Sequence, residues 1–82
     1  MKAVDFSPSA RADLRRLDRS VARRILIAVD RYAATGHGDV TRLQGGAGER
    51  RLRVSDWRVR FTEGAALIEV LRIRHRSEVY RS

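Results

Sequence analysis

A chain of 82 residues with 18 Lys and Arg against 10 Asp and Glu carries a formal charge of +8 and has room for one modest hydrophobic core. Two folding units, or anything as large as a dinucleotide fold, are excluded. The lack of cysteine removes disulfides, thiolate metal sites and thiol nucleophiles, and the two distant histidines, His37 and His75, leave no metal or other cofactor to be expected.

Residues 2–6 alternate in polarity and stop at Ser7-Pro8, which predicts a short strand followed by a helix with Ser7 as N-cap and Pro8 in its first turn. Ala10, Leu14 and Leu17 recur at helical spacing. Asp18 is a second N-cap, and Val21, Ile25, Val29 and Tyr32 mark one face of a longer helix ending near Gly36. The arginines of this helical hairpin form its wet side, some paired with Asp13 or Asp18. Residues 36–48 hold five of the six glycines and read as a mobile connection, anchored by Leu43, with His37 in solvent.

Strand signals then dominate. In residues 50–54, Arg51 and Arg53 point to one side and Leu52 and Val54 to the other, because side chains alternate across a strand. Ser55-Asp56 reads as a two-residue turn. In residues 57–61, Trp57, Val59 and Phe61 share a face, as core, opposite Arg58 and Arg60. After a tight turn at Glu63-Gly64, residues 66–74 read as a central strand buried on both sides, with Arg72 and Arg74 on a common side and His75 on the other. A short terminal piece, SEVYR, follows. The expected fold is α+β, in the order β-α-α-β-β-β: a single domain, residues 1–82, with a two-helix hairpin packed on one face of an antiparallel-rich sheet and arginines on the other.

The charges are unevenly placed. Residues 1–41 have a net charge of +3 and residues 42–82 a net charge of +5, with Arg50, Arg51, Arg53, Arg58 and Arg60 in one short span and Arg72, Arg74, Arg76 and Arg81 near the C-terminus. Seventeen of the 18 basic residues are arginine, a bias that GC-rich coding alone would produce, so placement carries more information than residue type. Like charges opposed across a hairpin repel, which points to an anionic partner. Neither a signal peptide nor a membrane span is legible, so a cytoplasmic protein with no membrane partner is expected.

Four segments together resemble the RelE/ParE toxin superfamily: Ser-Pro-Ser-Ala before the first helix, a Leu-Gln-Gly loop, the hairpin RLRVSDWRVRF, and the terminal IRHRSEVYR, which is similar to the His-Arg-x-x-x-Tyr-Arg ending of that family. The resemblance implies a RelE-like fold and the toxin of a type II toxin–antitoxin pair, in the RelE branch a metal-independent endoribonuclease that cuts mRNA in the ribosomal A site. It implies catalytic positions at Arg51, Arg53, Arg58, Arg74 and Tyr80, and the remaining arginines of the two basic clusters, Arg50, Arg60, Arg72, Arg76 and Arg81, are expected to bind nucleic acid. It also implies a cognate acidic, RelB-like antitoxin in a hetero-oligomer, and the ribosome and mRNA as partners. The rival readings are a ParE-like toxin acting on DNA gyrase and a non-catalytic family member.

Better-known family members have lysine where this chain has Arg51 and Arg53. A guanidinium, with a pKa above about 12, clamps phosphate but cannot accept a proton. The base is then to be sought in His75, in Tyr80, or in the 2′-hydroxyl's own ionisation assisted by the arginine field. For His75 a structural hydrogen bond is as consistent with the pattern as catalysis.

Overall fold

The computed structural model describes residues 1–43 and 48–79. Strand β1 (Ala3–Phe6) leads into helix α1 (Pro8–Arg16), where Ser7 makes two bonds at once. Its Oγ accepts from the Ala10 N–H (3.0 Å), capping the helix, and donates to the Leu71 carbonyl (2.8 Å) of a distant strand. Leu17 and Asp18 connect to α2 (Arg19–Thr35), which begins with the Asp18 carboxylate accepting from Ser20 N–H and ends with Gly36 in the left-handed conformation, φ 77°.

Four strands follow: β2 (Asp39–Arg42), β3 (Glu49–Val54), β4 (Trp57–Glu63) and β5 (Leu67–His75), then a single turn, α3 (Arg76–Val79). They form one sheet in the order β1-β5-β4-β3-β2, in which β1 and β5 are parallel and every other pair is antiparallel. Both long helices cover the same face. The core lies between, made of Ala10, Ile25, Val29 and Ala33 from the helices and Leu52, Val54, Val59, Phe61, Ile68, Val70 and Ile73 from the strands. Tyr32 meets Phe61 edge to face, with centroids 5.4 Å apart, and Trp57 packs on this core as the sequence predicts. Among the described residues no helix is long and apolar enough to cross a membrane.

Two sequence expectations need correction. Residues 39–42, read as part of a mobile connection, are edge strand β2, paired antiparallel to β3 from Asp39↔Arg53 to Arg42↔Arg50. Gly36 and Gly38 stop short of it, and the β-branched pair Val40-Thr41 suits the pleat, with Val40 against the core. Strand β5, read as buried on both sides, is buried only toward the helices. Its register against β4 skips a residue: Arg60 opposes Arg72 while Phe61 opposes Val70, so Leu71 is the extra residue of a β-bulge. The bulge resets the alternation. Ile68, Val70 and Ile73 all face the helices, although the interval from 70 to 73 is odd, and Arg72 and Arg74 face away.

The β3–β4 turn is the predicted Ser55-Asp56 pair, with Ser55 at φ 56°. A left-handed serine is strained in a way that glycine is not. Ser55→Gly is expected to stabilise the protein by about 0.5–1 kcal/mol, read as a higher urea midpoint at unchanged slope.

At the other end of the sheet, Glu63 accepts from the Lys2 ammonium and the Tyr32 hydroxyl (2.6 Å), with the Arg50 guanidinium 3.5 Å away. The Lys2 hydrogen bond, then that of Tyr32, hold the Glu63 carboxyl below its ordinary pKa, while burial and the Glu63 hydrogen bond raise that of Tyr32. A carboxylate depressed by folding stabilises above its unfolded pKa, and this contribution disappears as pH falls through the folded value. Glu63→Gln should therefore cost about 1–2 kcal/mol at pH 7, and the urea midpoints of the variant and the wild type should converge on acidification.

Candidate functional site

The sheet face turned away from the helices carries arginines in register on three adjacent strands. One row runs Arg51–Arg60–Arg72 across β3, β4 and β5, and the next runs Arg53–Arg58–Arg74. Strand geometry sets neighbours in a row about 4.8 Å apart and the rows about 6.6 Å apart along the strands. Two causes assemble this grid: the Arg-x-Arg alternation of the hairpin, and the Leu71 bulge that brings Arg72 and Arg74 to the same side.

Five of these arginines, Arg51, Arg58, Arg60, Arg72 and Arg74, together with Glu78 of α3, line an open cleft of about 230 Å³. Arg53 lines a neighbouring hollow with Asp39 and Thr41, and the two share Arg51 and Arg58 as a common wall. Each guanidinium is held differently. Arg58 donates through Nη1 to the carbonyls of Ser55 (3.0 Å) and Trp57 (3.1 Å), so the turn aims it. Arg60 lies 3.4 Å from Glu49 and Arg53 3.9 Å from Asp39, both in contacts open to solvent. Arg74 donates to Glu78 Oε2 at 3.1 Å. Among the described residues Arg51 makes no ion pair.

Arg72 has the most built environment. Its Nε and Nη2 donate to Asp13 Oδ2 (3.1 Å) and Oδ1 (3.4 Å), and the Ile73 N–H donates to the same carboxylate at 2.9 Å. Asp13 is 6% exposed. Strand β1 ends at Phe6, so the edge of β5 beyond it lacks a strand partner. Ser7 serves the carbonyls of Val70 and Leu71, and Asp13 serves the amide of Ile73. The carboxylate thus closes the sheet edge and fixes one side of the Arg72 fork.

Other expected site residues lie elsewhere. Arg50 has the parity of Leu52, so it sits on the helix-side face and pairs with Glu63, away from the grid. His75 is opposite Trp57, stacked on it edge to face at 5.1 Å, with its Nδ1 3.0 Å from the Ser77 hydroxyl, again on the other side of the sheet from the arginines. Arg76 lies at the hairpin tip, its N–H donating to the Asp56 carbonyl at 2.7 Å and its guanidinium 3.9 Å from the Asp56 carboxylate. Tyr80 and Arg81 fall outside the described residues. Sequence reasoning took Asp13 only as a surface partner of the helix arginines and overlooked Glu78. A clue to the first was an acid on the apolar stripe of α1, between Ala10 and Leu14. A clue to the second was a carboxylate four residues after Arg74.

The family model of the ParE toxin of type II toxin–antitoxin systems matches residues 4–80. The fold is similar to RelE in the RelB–RelE antitoxin–toxin complex of Methanococcus jannaschii (TM-score 0.77, 19% identity, 93% of this chain and 94% of that one). It is also similar to the RelE–RelB complex of Pyrococcus horikoshii OT3 (0.77, 23%, 92% and 94%) and the YoeB/ParE toxin of Agrobacterium tumefaciens (0.73, 21%, 92% and 98%). No curated protein sequence matches the chain. With the family model spanning nearly its whole length and the RelE-like fold in place, the chain belongs to the ParE toxin family, within the RelE/ParE superfamily of type II toxins.

Proposed function

We propose that this toxin is an endoribonuclease that cuts mRNA in the ribosomal A site, with the arginine cleft holding the phosphates around the cleaved bond. The observation that carries the reading is the grid itself: six guanidiniums in register on an otherwise ordinary sheet, five of them around one cleft. Attack of a 2′-hydroxyl on the adjacent phosphate builds negative charge on the phosphoryl oxygens. Preoriented guanidiniums aimed at that charge are the part of the chemistry that arginine performs well. Arg58, aimed by the turn carbonyls, and Arg72, fixed by Asp13, are the best preoriented of the set.

His75 takes a packing role in this reading, because it faces Trp57 and not the cleft. Tyr80 remains a candidate for proton transfer on the family pattern alone. The partner is an antitoxin with an acidic segment, as the charge of +8 favours and as the RelB complexes of the similar structures suggest. Ribosomal RNA phosphates supply further binding, so ribosome affinity should fall steeply with added salt.

The test is to express the wild type and Tyr80→Phe and to map mRNA 5′ ends with translating ribosomes present and absent. Cuts in the A-site codon that need ribosomes and are lost in Tyr80→Phe support the reading. Absence of cuts, with inhibition of gyrase supercoiling, would establish the rival target instead.

A further inference from the structure

Of the groups that the described residues bring to the cleft, five are guanidiniums and one, Glu78, is a carboxylate. Guanidiniums have no lone pair with which to accept a proton, and His75 lies across the sheet. The charged groups that line the two hollows shared by Glu78 are Arg51, Arg58, Arg60, Arg72 and Arg74 of the sheet and Asp13 and Arg16 of α1. Asp13 is buried and already accepts three hydrogen bonds. Glu78 is half exposed, on a single helical turn that follows β5, and among the described residues its side chain accepts a hydrogen bond from Arg74 alone. An arginine that holds a phosphate oxygen with one part of its fork and a carboxylate with another sets that carboxylate beside the sugar attached to the phosphate.

We propose, on the ribonuclease reading above, that Glu78 is the general base of the cleavage. The 2′ O–H bond breaks, its proton passing to the Glu78 carboxylate, and the freed electron pair forms the bond from the 2′ oxygen to phosphorus. The P–O5′ bond breaks, and the 5′ oxygen leaves with that pair and takes a proton from solvent water. The hydroxide so formed recovers the proton from Glu78. The products are one strand ending in a 2′,3′-cyclic phosphate and one beginning with a 5′-hydroxyl, with atoms and charge balanced.

The test measures single-turnover cleavage of mRNA on programmed ribosomes, from pH 5 to 9, for the wild type, Glu78→Gln and Glu78→Asp. Glutamine still accepts from Arg74 but is no base, so the carboxylate's two possible roles separate. The expected result is a fall of roughly 10²–10⁴-fold for Glu78→Gln at neutral pH with ribosome affinity retained, and partial recovery in Glu78→Asp. Unchanged melting temperatures would show that the fold is intact. A Glu78→Gln enzyme that cuts at the wild-type rate, or no more slowly than Glu78→Asp, overturns the proposal while the ribonuclease reading stands. A wild type that cuts no ribosome-bound mRNA overturns both.

Discussion

Replacing Asp13 with alanine is expected to destabilise the protein by about 3–5 kcal/mol. Three losses coincide. The Ile73 N–H, buried at the edge of β5, is left without an acceptor, at a cost of about 1–3 kcal/mol. The Arg72 guanidinium, one-third exposed, loses its partner and must reorient toward water. The space vacated between α1 and β5 is polar and poorly filled by a methyl group. For a domain of this size each kcal/mol moves the melting temperature by about 4–8 °C, so the variant should melt roughly 15–30 °C lower in a calorimetric scan. Asp13→Asn separates the terms: its amide oxygen still serves Ile73, while its NH₂ opposes Arg72. A loss near half that of alanine is expected. Equal melting of the wild type and Asp13→Ala would show that the edge of β5 is closed in some other way.

The second large effect falls on rate. On the ribonuclease reading proposed above, Arg58→Ala should lower the cleavage rate on ribosomes by roughly 10²–10³-fold, the range found when one preoriented donor to a transition-state oxyanion is removed. Stability should change by about 1 kcal/mol or less, since of the two bonds lost at the turn the one to the Ser55 carbonyl is exposed and the one to the Trp57 carbonyl only part-buried. Arg58→Lys retains charge without the planar fork and should recover only part of the rate. Ribosome affinity of both variants, titrated against salt, separates binding from chemistry. Alanine should reduce the slope by about one counterion and lysine should not. A wild-type rate in Arg58→Ala would remove the cleft from the mechanism.

Legibility in the sequence followed regularity. The caps Ser7 and Asp18, the Gly36 stop, the two-residue turn and the Arg-x-Arg alternation of the hairpin each depend on neighbours within a few positions, and the structure has them where the pattern puts them. What escaped depends on distant partners. Strand β2 is four residues bordered by glycine and exists because β3 offers it an edge. The bulge hides because Val70 and Leu71 side by side look like continuous burial, and only pairing with β4 shows that Leu71 is supernumerary. Asp13 read as one more surface acid on a helix crowded with arginines, yet its partners lie 59 and 60 positions away. The site was legible as a set of arginines but not as a cleft. A list of cations does not reveal which of them turn to the helices, as Arg50 does, nor that a carboxylate on α3 comes to lie among the rest.

The grid contains four directly opposed like-charge pairs: Arg51 with Arg60, Arg60 with Arg72, Arg53 with Arg58, and Arg58 with Arg74. Each opposes folding in the free protein, and a polyanion or an acidic antitoxin relieves them together. Toxicity and robustness are therefore set against each other in this chain. Survivors selected for escape from the toxin by neutral substitutions in the grid should be enriched in proteins that are harder to unfold than their parent, and the active toxin should be at its most persistent when its antitoxin silences it.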